Sequence, residues 1–155
     1  MSEESVRSWL AENAPDLSLI DQGVSTATVA EAAAALGVEP GRIAKTLAFR
    51  VGEQPMLLVA RGDARLDNAK CKAALGGRPR MLDAEDTLAL TGHAVGGVCP
   101  FGLANPVPIV CDRSLLAYDT VVPAAGSRTS SIEVAPGRLA ELTAAEWVDI
   151  CRLPE

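Results

Sequence analysis

The chain has 155 residues, 48% of them hydrophobic, a mean hydropathy of +0.19 and a formal net charge of −6 at pH 7. That length suits one domain with a proper core, and the apolar share excludes a disordered chain. No apolar run nears the ~18 residues that cross a bilayer, and the acidic start at Glu3 and Glu4 is unlike a signal peptide, so one cytoplasmic domain over residues 1–155, without a membrane partner, is expected.

In chain order, Val6, Trp9 and Leu10 recur at helical spacing and predict a short amphipathic helix over Ser5 to Glu12. Thr28-Val29-Ala30-Glu31 has capping-box form and opens an alanine-rich helix that stops at Gly37. Ile43 to Arg50 and Met56 to Ala60 read as strands joined by a turn at Gly52, a hairpin. Asp67 is a candidate N-cap for a helix through Leu75, ended by Gly76-Gly77; Asp83 is one for a helix through Leu90, ended by Thr91-Gly92. Val107 to Cys111 then predicts a strand, Ser114 to Ala117 a helical turn, and Asp119 to Ala124 and Ser131 to Ala135 two short strands. Near the end, Thr143 to Glu146 offers another capping box, while Trp147 to Cys151 equally suits a terminal strand. Interspersed helices and strands, with no repeat or linker, predict a single α/β (α+β) domain with a mixed sheet.

The stretch Thr91 to Gly102 gathers four glycines, Pro100 and the chain's one histidine, His93. Glycines admit positive φ and let a ligand approach main-chain N–H groups, so this loop looks suited to presenting backbone donors. Its spacing fits neither the dinucleotide fingerprint nor the phosphate loop; the plain alternative is a structural turn. The four cysteines form no CxxC pair, and with one histidine they offer no zinc ligand set, so reduced, mostly buried thiols and no metal or cofactor are expected. Charge is unevenly spread: residues 42–80 hold nine Lys or Arg against three Asp or Glu. Such a basic third can attract a phosphate backbone locally, although a solvated face gives the same composition.

In Ile43-Ala44-Lys45-Thr46-Leu47-Ala48-Phe49, alternation puts Lys45 on one face with Ile43, Leu47 and Phe49. A lysine there must snorkel, pair with a carboxylate or meet a ligand's negative charge. The segment Gly41 to Leu47, followed by Thr91 to Gly102, Val107 to Asp112 and Ala124 to Ser127, resembles the YbaK/prolyl-tRNA-synthetase-associated editing-domain family. The resemblance covers about Thr28 to Ile150.

That resemblance implies a mixed, curved sheet wrapped by helices around a cleft. It implies hydrolysis of wrongly charged aminoacyl-tRNA, with the 3′ CCA end of the tRNA as partner and an aminoacyl-tRNA synthetase as a second. The family lysine falls on Lys45, implied to hold the tRNA 3′ end and substrate; the G-x-x-x-P element falls on Gly96 to Pro100. Backbone amides of Gly96, Gly97, Val98 and Cys99 would then form an oxyanion hole. The attacking water would be helped by the substrate's own ribose hydroxyl, which suits a sequence with no obvious base. Thr46, Phe49, His93, Pro100, Gly102, Gly126 and Ser127 are the substrate-binding candidates, and Arg42, Arg61, Lys70, Arg78 and Arg80 the tRNA-binding ones. Thr46 points to the face opposite Lys45 in an ideal strand, so a shared role requires the strand to bend. Cys99 stands where relatives often carry a small hydroxyl residue or alanine, and Ala125 near a serine of some relatives, which leaves the amino acid removed unassigned. A pocket lined by Val98, Cys99 and Phe49 would admit only small residues: alanine, serine, threonine, cysteine or 2-aminobutyrate. Two other functions fit the residues: a non-catalytic module that binds a tRNA 3′ end or a protein, and a thiol hydrolase with Cys99 activated by His93.

Overall fold

The computed structural model describes residues 2–154. Helix α1 (Ser2–Asn13) starts ahead of its predicted position and buries Val6 and Leu10. After the short strand β1 (Ile20–Asp21) comes α2 (Val29–Leu36), whose first turn is closed by Thr28 Oγ1 accepting from Glu31 N–H at 3.1 Å. A 3₁₀ turn (Pro40–Arg42) feeds the hairpin of β2 (Ile43–Val51) and β3 (Gln54–Arg61). Next are β4 (Arg65–Leu66), α3 (Asn68–Leu75), β5 (Arg80–Met81) and α4 (Ala84–Thr91). Asp67 and Asp83 cap the two helices as their sequence positions predict, accepting from Lys70 and Asp86 N–H.

Beyond the glycine loop the chain forms β6 (Ile109–Asp112), a 3₁₀ segment (Arg113–Ala117), β7 (Val122–Pro123) and β8 (Ser130–Ser131). It closes with α5 (Pro136–Thr143), β9 (Glu146–Val148) and β10 (Cys151–Arg152). The two strands expected over 119–124 and 131–135 are thus shorter, and Thr143 ends a helix instead of opening one. Pro136 in the first turn supplies the start, since a proline there forfeits no intrahelical bond. Burial of Leu139 and Ala140 holds the helix on the core.

The main sheet runs β5-β2-β3-β6-β9, with β7 also paired to β2. β2 is antiparallel to β3 and β5 and parallel to β7, while β3–β6 and β6–β9 are parallel, so the sheet is mixed. Alternation along the hairpin feeds two cores. Ala44, Ala48, Leu57 and Val59 pack towards α1 and α5, and Phe49, Leu58 and Ala60 pack with Cys71, Ile150 and Cys151. Among the described residues no helix is long and apolar enough to cross a membrane.

That strand order leaves part of β2 uncovered. β7 covers the outer edge of β2 at Ile43 and Ala44, and β5 covers it at Phe49 and Arg50. Between them the edge of β2 is open.

Candidate active site

A cleft of about 390 Å³ lies against that open edge. Its volume is in the range of small-molecule sites, roughly 300–1,000 Å³. The cleft is lined by Val29, Ala32 and Leu36 of α2 and by Gly96 and Val98 of the glycine loop. Residues 43–48 of β2 form the floor, and Ala124 and Ser131 close one end.

The Ala48 carbonyl accepts from Leu82 N–H at 3.0 Å, so the peptide groups of Ala48 point outward to the β5 side. Residues two apart point the same way, which aims the main-chain N–H and C=O of Thr46 into the uncovered stretch. Thr46 and Lys45 therefore both line the cleft without a bend in the strand, because the ligand space meets β2 edge-on and not from one face. The buried Thr46 Oγ1 and Ser131 Oγ have no hydrogen-bond partner among the described residues. An unsatisfied buried hydroxyl costs ~1–3 kcal/mol.

Lys45 is half-buried, and its Nζ donates to the carbonyls of Gly62, at 3.2 Å, and Ala64. Burial holds the amine below the usual lysine range; the nearby Cys151 and Asp63 pull it back. The side chain thus meets backbone carbonyls of the turn after β3, where carboxylate pairing, free snorkelling or a ligand had been the alternatives.

In the loop, Gly96 has φ +101°, which L side chains rarely adopt, and Gly97 is locked by contact. Gly97 N–H donates to the Ala94 carbonyl at 3.0 Å, and its own carbonyl accepts from Gly126 N–H at 3.1 Å. A Cβ on Gly97 would sit 2.8 Å from Ser127 N. The four amides expected to face a scissile ester are thereby reduced: that of Gly97 is committed within the loop. The amides of Gly96 and Val98, both on the cleft wall, have no acceptor among the described residues.

Behind the loop the reading of Cys99 as a cleft residue or nucleophile is corrected. Cys99 is 0% exposed and packs in the core with Phe101 and Ala125. Burial pushes its thiol up to about 12. His93 Nε2 lies 2.7 Å from the Phe101 carbonyl, which can only accept, so that nitrogen carries the proton of the neutral ring and cannot take one from Sγ, 3.6 Å away. Nδ1 meets Ser2 Oγ of α1. Burial also holds the imidazole below its ordinary range, against the pull of the Phe101 carbonyl. Phe49 is likewise corrected: fully buried, it lies in the core beside Cys71 and Ile150, away from the cleft. Pro100, Gly102, Gly126 and Ser127 do not line the cleft either. Gly102 packs on the Ser5 carbonyl and Gly126 on that of Ser2, while Ser127 Oγ donates to Glu3 at 3.2 Å; these three tie the loop region to α1.

The basic third is also less available than its composition suggests. Arg61 makes a two-pronged bond to Asp63, with both distances 2.7 Å, Arg42 is held by Thr120 and Glu133, and Lys70 by Asp149 and the Cys151 carbonyl. Arg78 and Arg80 are exposed, with no ion pair among the described residues. Ser131, Ala124 and the α2 wall escaped the sequence reading. Ser131 had only its place in a predicted strand to mark it, and α2 only its capping box and alanine-rich run.

Residues 24–142 match the family model described as the aminoacyl-tRNA editing domain. An uncharacterized protein, YwhH of Bacillus subtilis, is 44% identical over 154 residues, covering 98% of each chain. A protein of Enterococcus faecalis whose name proposes a Cys-tRNA(Pro)/Cys-tRNA(Cys) deacylase, EbsC, is 35% identical over 130 residues, 82% of this chain and 77% of that one. A crystal structure described as a proposed trans-editing enzyme for prolyl tRNA synthetase superposes with a TM-score of 0.89 at 34% identity, covering 97% of both chains.

Proposed function

Because the chain belongs to the aminoacyl-tRNA editing domain family, we propose that it acts in trans on mischarged tRNA, hydrolysing the ester of a small amino acid. The observation that carries this reading is the pair of uncommitted amides, Gly96 and Val98, lining the same cleft as the open edge of β2. An aminoacyl ester is already activated, so hydrolysis needs orientation and a place for the developing negative charge more than a strong nucleophile. In the proposed step, water adds to the ester carbonyl carbon and the carbonyl oxygen becomes an oxyanion received by those N–H groups. Collapse breaks the bond to the ribose oxygen, which leaves with a proton, and the amino acid departs. Among the described cleft residues no Asp, Glu, His or Cys is present to act as base; the ribose hydroxyl beside the ester takes the water's proton as it gives its own to the leaving ribose oxygen. Lys45, at the end of the open edge, would hold the tRNA 3′ end.

The walls limit the side chain. Ala32, Leu36, Leu47 and Val98 leave an apolar space that suits alanine, serine, threonine, cysteine or 2-aminobutyrate. Cysteine has separate support in the name of the Enterococcus relative. The same lack of an acid–base side chain favours the second reading, a module that binds a tRNA 3′ end without turnover. A panel of tRNAs charged with each small amino acid decides between them: release of free amino acid in multiple turnovers is expected, and binding without release would overturn the hydrolase.

A further inference from the structure

Arg128 stands outside the basic third, in the acidic remainder of the chain, yet it is the cation set against the glycine loop. Its Cγ and Nε lie 3.2 and 3.3 Å from where a Cβ on Gly96 would be, so its stem crosses the bare backbone of that residue. The Arg128 carbonyl accepts from Thr26 N–H at 2.6 Å and Thr26 Oγ1 at 3.1 Å, which fixes its backbone beside the cleft wall. The residues before it are fixed as well, since Gly126 bonds to Gly97 and the Ser127 backbone abuts Gly97. Arg128 is exposed, and its guanidinium has no carboxylate or hydrogen-bond partner among the described residues. Arg42, Arg61 and Arg138, by contrast, are each held by a carboxylate.

A planar fork of N–H donors left unpaired beside the cleft-lining Gly96 suits a phosphate better than any neutral group. We infer that Arg128 binds the phosphodiester joining the last two nucleotides of the tRNA 3′ end, and that this contact sets the terminal ribose ester against Gly96 and Val98. The inference rests on the hydrolase reading for its substrate, but the contact itself needs no turnover. It also assigns a role to Gly96 beyond its φ: a Cβ there would press on the arginine stem and shift it by a few tenths of an ångström.

The test compares two substrates that carry the same ester: aminoacyl-adenosine, which lacks a phosphate, and an aminoacyl-CA dinucleotide, which has the one in question. Arg128→Ala should lower kcat/KM at least about tenfold on the dinucleotide and leave aminoacyl-adenosine unchanged. Arg128→Lys should restore part of the loss. For a fluorescent oligonucleotide ending in CCA, the log–log salt slope of binding should fall by about 0.7 in Arg128→Ala, one phosphate on a single strand. Inorganic phosphate at matched ionic strength should compete with the oligonucleotide only weakly, which separates a held phosphodiester from a general anion site. Equal losses on both substrates, or none on the dinucleotide, would overturn the inference. If the wild type hydrolyses neither substrate but binds the oligonucleotide through Arg128, the hydrolase reading fails and the phosphate contact stands. An active wild type whose Arg128→Ala binds and turns over the dinucleotide normally gives the reverse.

Discussion

The two sides of the glycine loop differ in a way that inverts first impressions of the sequence. The side facing the core holds the conspicuous chemistry, His93 and Cys99, and there each polar group meets a partner: Ser2, the Phe101 carbonyl, one another. The side facing the cleft holds plain residues, Gly96 and Val98, with Thr46 and Ser131 across from them. There amides and hydroxyls stand unpartnered. Reactive side chains that are fully satisfied and sealed do architecture. Unsatisfied backbone and hydroxyl groups, costly to keep in a folded chain, mark the face that waits for a ligand.

The contrast is broken or sharpened most strongly at Gly97, where the two sides meet. Gly97→Ala places a methyl against Ser127 and Gly126 backbone, which cannot yield cheaply, so the loop must move. A displacement of about 1 Å is enough to cost on the order of a hundredfold in single-turnover deacylation, and the melting temperature should fall with it. Lys45→Ala comes next: about tenfold slower deacylation, near 1.4 kcal/mol on the barrier, with the circular dichroism spectrum retained. A folded Lys45→Ala variant at the wild-type rate would remove the lysine from the cleft's function.

On the sealed side, Cys99→Ala should keep deacylation within about twofold while costing on the order of 1 kcal/mol in urea melts, the loss of one buried group. A stable Cys99→Ala protein without activity would restore the thiol hydrolase and collapse the contrast. His93 adds a pH signature. Its folded value is depressed, so at intermediate pH the unfolded chain binds a proton that the folded one refuses. Its contribution to stability is complete above the unfolded value of about 6.5 and is lost as pH falls from there through the folded value. Melts from pH 7.5 to 5.5 should show that decline in the wild type and not in His93→Gln; identical slopes would mean His93 is not sealed. The smallest effect is on the cleft side. Ser131→Ala removes an orphaned hydroxyl and should stabilise the fold by about 1 kcal/mol while slowing deacylation, and a destabilised variant would show that the hydroxyl is partnered after all.

The sequence was most legible where local chemistry decides. The caps at Thr28, Asp67 and Asp83 and the β2–β3 hairpin stand where their residues put them, because a cap needs only its own next turn. Of the residues that the resemblance singles out, Lys45, Thr46, Gly96 and Val98 line one cleft, and Gly97, Cys99 and Pro100 do not. What could not be read was which face of the loop each residue serves. Cys99 and Phe49 looked like pocket residues, but the packing of α1 and α3 against the sheet, set by contacts far along the chain, turns both into core. Arg42, Arg61 and Lys70 looked like a phosphate track, and it is the return of Glu133 and Asp149 from the far end that neutralises two of them. Ser131 reaches the cleft only once β7 pairs with β2 and Ser131 bridges back to Ala124.

Helix α1 braces the loop through Ser2, Glu3 and Ser5, which meet His93, Gly102, Gly126 and Ser127, and that brace has a consequence in time. Residues 2–5 meet partners up to 124 positions further along, so the contact closes a long loop and carries a correspondingly high entropic toll. A chain emerging from the ribosome can build its β2–β3 hairpin and cap its middle helices early. Its glycine loop gains its final backing only after residue 127 has left the exit tunnel. The cleft is thus completed late, on a hairpin and capped helices already laid down.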